Sequence, residues 1–288
     1  MEAINKESAL QRLKSYRKHP LSAILFLLVV ISAVITLTVL IALIAYILIK
    51  GIPNLSPELF EWEYTTDNVS MMPAIINTLI ITALSLLFAL PVGICSAIYL
   101  VEYAKRGNKL VSIVRITTET LSGIPSIVYG LFGYLFFNIF LEWSYTILGG
   151  ALTLAIMILP LIMRTTEEAL IAVPDLYREG SFGLGAGKLR TVFRIVLPSA
   201  VPGILAGVIL AIGRIVGETA ALIYTAGTVA QVPKNVLGSG RTLAIHMYML
   251  SSEGLYMDQA YATAVILLVL VVAINTLSGV VAKKLTKA

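Results

Sequence analysis

Long stretches without a single charged side chain decide what this chain can become. Residues 21–49 hold none in 29 positions, and residues 68–101 hold none between Asp67 and Glu102. A hydrocarbon core about 30 Å thick is crossed by a helix of about 20 apolar residues, so either run is long enough to span it. Across all 288 residues, 58% are hydrophobic and 13% are charged, about half the charge of an ordinary soluble domain. That excludes a water-soluble globule. Disorder is excluded as well, because disordered chains are poor in Val, Ile and Leu.

Four further runs fit spans: 120–141, 143–163, 198–228 (interrupted by Arg214 and Glu218) and 259–282. In lipid every backbone polar group needs an internal partner, which a helix supplies by itself. The fold expected is therefore all-α, a polytopic membrane protein with six transmembrane helices. Its expected parts are an N-terminal segment 1–20, a first helix 21–49 and an external loop 50–70. A core of five helices over 71–282, with a long inner loop at 164–197, precedes a tail at 283–288. The basic lead-in from Lys6 to Lys18 is also compatible with a signal peptide. The apolar run after it is about twice the length of a signal-peptide core, and no small-x-small site closes it before Lys50. A retained first helix is expected.

Six spans put both termini on one side. With the N-terminus inside, 16 of the 21 Lys and Arg residues lie in inner segments, and three (Lys50, Lys234 and Arg241) lie in outer loops. Arg115 and Arg214 fall at or within spans. This bias is the positive-inside signal, and it predicts a multi-pass protein of the cell (inner) membrane with both termini cytoplasmic. It also accounts for the net charge of +5, so the expected contact is membrane lipid and not nucleic acid. One cysteine, Cys95, and two histidines, His19 and His246, leave no internal disulfide and no Cys/His metal cluster. No metal site is expected.

The inner loop is the most informative segment. Pro174-Asp175 is a helix-start signal, and Leu176, Tyr177, Phe182 and Leu184 put apolar groups on a short helical surface. Gly183, Gly185 and Gly187 permit a sharp bend before a second short, basic stretch, Lys188 to Arg194. A bent pair of amphipathic helices suits docking into a groove on another protein. A connector lying among the headgroups is the alternative. Gly185-Ala186-Gly187-Lys188 looks phosphate-binding but fails as a P-loop, because Phe182 and Leu189 stand where Gly and Ser or Thr are needed. No ATP site is expected on this chain.

Span five carries two charges. With Pro198 at the inner interface, Arg214 lies 16 residues along, about 24 Å at 1.5 Å per residue, beyond the midplane of an upright helix. An intramembrane Arg costs at least about 2.5 kcal/mol on insertion scales and should face protein or water. Gly203, Ala206, Gly207, Gly213, Arg214, Gly217, Glu218, Ala220 and Ala221 share one face at about 100° per residue. Its two GxxxG pairs, Gly203/Gly207 and Gly213/Gly217, let another helix approach closely. Two roles are open for the charges. Arg214 and Glu218, one turn apart, neutralise each other and fix packing; or Arg214 offers its planar fork to an oxyanion while Glu218 orients it. Arg115 and Glu119 form a second i, i+4 pair, read as snorkelling at the interface. Ser126 and Tyr129, beside Pro125, either line a path or bond to backbone that the proline frees.

Several of these residues resemble a known family. Glu179-Gly180-Ser181, Gly185, Ile195 and Leu197-Pro198 match, at every spacing, the cytoplasmic EAA motif of ABC importer permeases, with Gly180 and Ser181 replacing two alanines. Ser122 to Gly130, Gly217-Glu218-Thr219-Ala220 with Arg214 ahead of it, Met71 to Pro73 with Asn77-Thr78, and Glu102-Tyr103 are similar to the A-type (PstA) permease subunits of phosphate-specific ABC importers. Ala221 departs from the pattern, since many relatives carry proline there. The resemblance implies the architecture of a type I ABC importer permease that is not itself an enzyme and binds no cofactor, with ATP and Mg held by a partner ATPase. It implies a substrate path with Arg214, Glu218, Thr219, Ser126 and Tyr129, and a coupling loop with Glu179, Gly180, Ser181, Gly185, Ile195, Leu197 and Pro198. Partners implied are a homologous second permease subunit (PstC type), two ATPase subunits (PstB type) and an external phosphate-binding protein (PstS type). Inorganic phosphate is the implied cargo, with phosphonate, sulfate or molybdate as alternatives. A secondary transporter would call for inverted repeats, which the sequence does not display. An intramembrane enzyme would call for a catalytic set, and both histidines lie outside the spans.

Overall fold

The computed structural model describes residues 20–105 and 107–287, so the basic lead-in, Arg106 and Ala288 lie outside the described residues. All regular structure among the described residues is helical. Five helices are long and apolar enough to cross a membrane, and a bent pair brings the count to six. Helix α1, Pro20–Gly51, is apolar on every face, which suits a helix surrounded by lipid. It belongs to a separate compact unit ending at Lys50; the second unit begins at Gly51.

Within the second unit, α2 (Met72–Ile98) runs on through a π-helical turn, Tyr99–Tyr103. Helices α3 (Lys109–Ser122) and α4 (Ser126–Gly133, extended by a π-turn to Phe140) meet at a bend of 101°. Then come α5 (Ile147–Ile171), α6 (Asp175–Gly183) and α7 (Lys188–Thr191), which passes through a π-turn at Val192–Val196 into α8 (Leu197–Val216). Helices α9 (Ala220–Thr225), α10 (Leu243–Glu253) and α11 (Met257–Lys287) complete the chain.

The ends of several spans differ from those expected. The third does not run straight from 120 to 141, because Pro125 has no N–H to continue a helix and Gly123 precedes it. The fourth extends to Ile171 and the fifth begins at Lys188, so the segment between the two spans is much shorter than 164–197. The Lys188–Arg194 stretch is the opening of the fifth span and not a second free amphipathic helix. There Leu197 N–H reaches back five residues to the Val192 carbonyl, a π-turn that absorbs the donor Pro198 lacks.

Helix α5 is the hub. Ile81 of α2, Leu154, Ile158 and Ile162 of α5, Ile215 of α8 and Leu222 of α9 form the main core. Hydroxyls within it are satisfied by their own helix: Thr78, Thr82 and Ser85 donate to carbonyls four residues back, and Ser85 also reaches Ala151 O at 3.1 Å on α5. Gly203 and Gly207 bring α8 onto α5. A Cβ at Gly203 would stand 2.7 Å from the Ala169 Cβ, and one at Gly207 would stand 2.6 Å from the Thr165 Cβ. The first GxxxG pair thus makes the close crossing. The second does not: nothing lies within 4 Å of a Cβ at Gly213.

Candidate functional site

The fifth span is broken where its charges sit. Helix α8 stops at Val216, and Gly217 to Thr219 separate it from α9. Arg214 therefore occupies the last turn of a helix, where its charge is favoured by the exposed carbonyls. It is half-buried. Of the two roles open for these charges, mutual neutralisation is not the one observed: Arg214 and Glu218 make no ion pair among the described residues, because unwinding after Val216 removes the i, i+4 geometry. Glu218, buried, instead accepts a hydrogen bond at Oε1 from Ala221 N–H at 3.0 Å, capping α9. A proline at 221 would have no such donor, so the departure Ala221 is what holds Glu218. Irregular backbone at this depth is tolerated where it is covered by protein or lines a wet cavity.

Helix α4 crosses this break. A Cβ at Gly130 would stand 2.8 Å from the Ala221 Cα, so only glycine permits the contact. Tyr129, 6% exposed, is packed in the main core beside this crossing. The Tyr129 hydroxyl donates to Leu121 O at 2.8 Å, the carbonyl that Pro125 leaves without its usual donor. Of the two readings of Tyr129, bonding to backbone is the one its hydroxyl follows. Ser126 is half-buried one turn earlier, and Thr219 is half-buried within the break. Arg214 has no hydrogen bond or ion pair among the described residues, so its fork is available.

At the opposite end of α2 lies the elbow. Helix α6 begins at Asp175 after Pro174, as expected, and Gly185 turns the chain with φ +81. Gly187 is extended, with φ −73, so one glycine makes the bend. Ser181 is buried, and its hydroxyl bonds the Thr191 hydroxyl at 2.8 Å, tying α6 to α7. Glu179 is exposed, Gly180 faces open space, Ile195 and Leu197 are half-buried, and Pro198 is exposed. The tip is apolar and uncovered: Leu176, Tyr177 and Phe182 are exposed, and Leu184 is 91% exposed.

What anchors α6 is not legible in the chain order. Arg178 donates to Glu102 Oε1 from Nη2 (2.7 Å) and Nε (3.1 Å), to Leu170 O (2.9 Å), to Val173 O (2.8 Å) and to Asp175 Oδ1 (3.2 Å). The two paired side chains are 14% and 8% exposed. Asp175 and Arg178 are three apart and so legible as neighbours, but Glu102 lies 76 positions away. Nearby, Arg115 pairs with Glu167 of α5 and not with Glu119, because α3 lies against α5 with Arg115 on the facing side. Arg164 pairs with Glu168. These residues and Glu119 line a cavity of 320 Å³ at this end, beside a larger one of 860 Å³ reached by Lys105, Lys109 and Arg178.

Residues 89–287 match the family described as "Binding-protein-dependent transport system inner membrane component". The chain is 34% identical to the "Probable ABC transporter permease protein YqgI" of Bacillus subtilis, over 89% of this chain and 94% of that one. It is 34% identical to the "Phosphate transport system permease protein PstA" of Haemophilus influenzae, over 75% and 77%. Among solved structures, a bacterial alginate ABC transporter in complex with an alginate-bound periplasmic protein aligns with a TM-score of 0.69 at 16% identity, over 95% of this chain and 98% of that one. The inward-facing MetNI methionine ABC transporter aligns at 0.61 and 22%, over 74% and 94%.

Proposed function

The chain belongs to the binding-protein-dependent transport system inner membrane components, and from that premise we propose that it is the permease subunit of an ATP-driven importer of inorganic phosphate. Hydrolysis occurs on a separate ATPase chain, and an external binding protein delivers the cargo. In the finer reading a PstC-type permease stands beside this chain, two PstB-type ATPases lie beneath, and a PstS-type protein docks outside. Both termini are then cytoplasmic, and α6 is on the ATPase side.

The observation that carries this reading is the unpaired Arg214 guanidinium at the helix break. An oxyanion is recognised by a planar fork of N–H donors, and a fork already engaged by Glu218 would have none to offer. Gly213 and Gly217 leave the same face without bulk, so a dehydrated tetrahedral anion can pass beside it. Thr219, Ser126 and Glu218 border the passage; Tyr129 braces α4 at the proline. At the other end, the exposed apolar tip of α6 seats in the ATPase, and Glu179, Gly180, Ser181, Gly185, Ile195, Leu197 and Pro198 give the elbow its shape.

Phosphate uptake into vesicles holding the reconstituted complex, with and without ATP, tests the reading. Uptake should require ATP, and Arg214→Ala should abolish it while the complex still assembles. ATP-independent uptake defeats the importer, uptake of a different anion alone replaces the cargo, and normal uptake by Arg214→Ala removes Arg214 from the path.

A further inference from the structure

A second guanidinium lies at the far end of α2 from Glu102, and nothing in the transport reading uses it. Arg241 precedes α10. Its backbone is fixed on both sides: its N–H donates to Val229 O at 2.9 Å, and its carbonyl accepts from Asn77 Nδ2 at 3.2 Å. The residue is 6% exposed, and its guanidinium lies over the Tyr64 ring, 4.7 Å from the centroid. Nε and Nη2 are buried without a hydrogen-bond partner among the described residues. Those two nitrogens are the parallel pair with which arginine grips two oxygens at once.

Three neighbours share the deficit. His246, fully buried in the first turn of α10, has its ring 6.1 Å from that of Tyr64 at 88°; the Val69 backbone is near enough to act on the ring, but neither nitrogen has a partner of good hydrogen-bond geometry among the described residues. Thr242, at the N-cap of α10, keeps its hydroxyl buried and unbonded instead of capping the helix. The Asn77 Oδ1 is also unpaired. Buried polar groups are ordinarily satisfied, and a buried cation ordinarily has a counter-charge. Here a fork, an imidazole and a hydroxyl are left open together at the N-terminus of an 11-residue helix, the end that favours an anion.

We propose that Arg241, Thr242 and His246 form an oxyanion station beneath Tyr64, separate from Arg214. No carboxylate among the described residues pairs with Arg241, whereas a small free oxyanion of the phosphate class enters once the half-buried Tyr64 swings off the guanidinium. Tyr64 belongs to the segment before α2, where the neighbouring Asn68 holds Glu61 at 2.7 Å and the Glu63 carbonyl at 2.9 Å. That segment is the lid. The identity of the anion rests on the phosphate reading; the existence of the station does not.

Histidine itself supplies the probe. The chain has two, so His19→Gln in a ring-¹⁵N-histidine-labelled permease leaves His246 as its one labelled side chain. The assembled complex, with unlabelled partners, is titrated in vesicles with inorganic phosphate and followed by solid-state NMR. The His246 ring signals should move saturably with phosphate, keep moving in Arg214→Ala, and need at least tenfold more phosphate in Arg241→Lys, which keeps the charge but loses the fork. Signals unmoved by phosphate and by sulfate overturn the station, as does an unchanged midpoint in Arg241→Lys. Movement with sulfate but not phosphate upholds the station and overturns the phosphate reading. The titration without an arginine substitution needs no variant at the site, so a misfolded Arg241 variant does not decide the matter.

Discussion

Replacing Arg178 by alanine should do more damage than any other single change at the inner end. The side chain makes five hydrogen bonds to four groups, and its partner Glu102 is 8% exposed. Removing one member of a buried ion pair costs about 3–5 kcal/mol, because the survivor is left charged and unpaired. The Leu170 and Val173 carbonyls also lose a donor, at about 1–3 kcal/mol for a buried group, though losses within one network do not simply add. Total stability of a domain is about 5–15 kcal/mol, so the lower bound already matters. The informative measurement is a double-mutant cycle over Arg178→Ala, Glu102→Ala and the pair, read by equilibrium SDS unfolding of the detergent-solubilised protein. The coupling should be about 3 kcal/mol, roughly a 150-fold change in equilibrium constant. The Arg164–Glu168 pair, 61% and 63% exposed, serves as the comparison and should give about 0.3–0.5 kcal/mol. A coupling for Arg178–Glu102 no larger than that would refute the view that this pair seats α6.

The two GxxxG pairs should respond oppositely: Gly207→Ala drives a Cβ into Thr165 and should cost about 1–3 kcal/mol by overpacking, whereas Gly213→Ala meets nothing and should leave unfolding unchanged. His246 gives a pH dependence. Burial, and then the Arg241 charge, push its pKa down to about 3, against a smaller opposing contribution from the Val69 backbone. The folded chain therefore holds fewer protons than the unfolded one between about pH 3 and 6.5, so stability is full above 6.5 and falls as the pH drops. The slope is about 1.4 kcal/mol per unit, and His246→Gln should flatten it in thermal melts between pH 7 and 5. Leu184→Asp at the 91% exposed tip should leave the permease melting normally yet reduce co-purification of the ATPase subunits; unchanged recovery would place docking elsewhere.

What could be read from the residues alone followed from local rules. Uncharged runs located the spans, because insertion in lipid depends on each segment's own composition. Pro174-Asp175 located α6, since a helix start is a matter of neighbouring dihedrals and donors. Breaks were harder. Pro125 stands inside a run expected to be a single span, 120–141, and the 101° bend there depends on what α3 and α4 pack against; the unwinding after Val216 carries no proline. The Arg214–Glu218 spacing suggested a helical pair. Its failure stems from the competing donor at Ala221, which the sequence displays but does not rank. Arg178–Glu102 and Arg241–Tyr64 join residues far apart in the chain, and no periodicity reports such pairs.

The halves of α8 make different demands on the assembly. Its first half is closed by this chain itself, with Gly203 and Gly207 seated on Ala169 and Thr165 of α5. Helix α5 is also where the Arg178 anchor takes hold, through Leu170 O, so displacement of α6 bears on the same helix that grips α8. The second half, from Gly213 to Gly217, has no such seat, and there the guanidinium sits without a partner. A charge in that position is tolerable only beside water, an anion or another protein surface. The chain thus builds a rigid connection from the elbow to the base of α8 and leaves its charged end to be completed from outside. That is the division of labour expected of one subunit in a multi-subunit transporter, with the Gly213 end of α8 left uncovered by this chain.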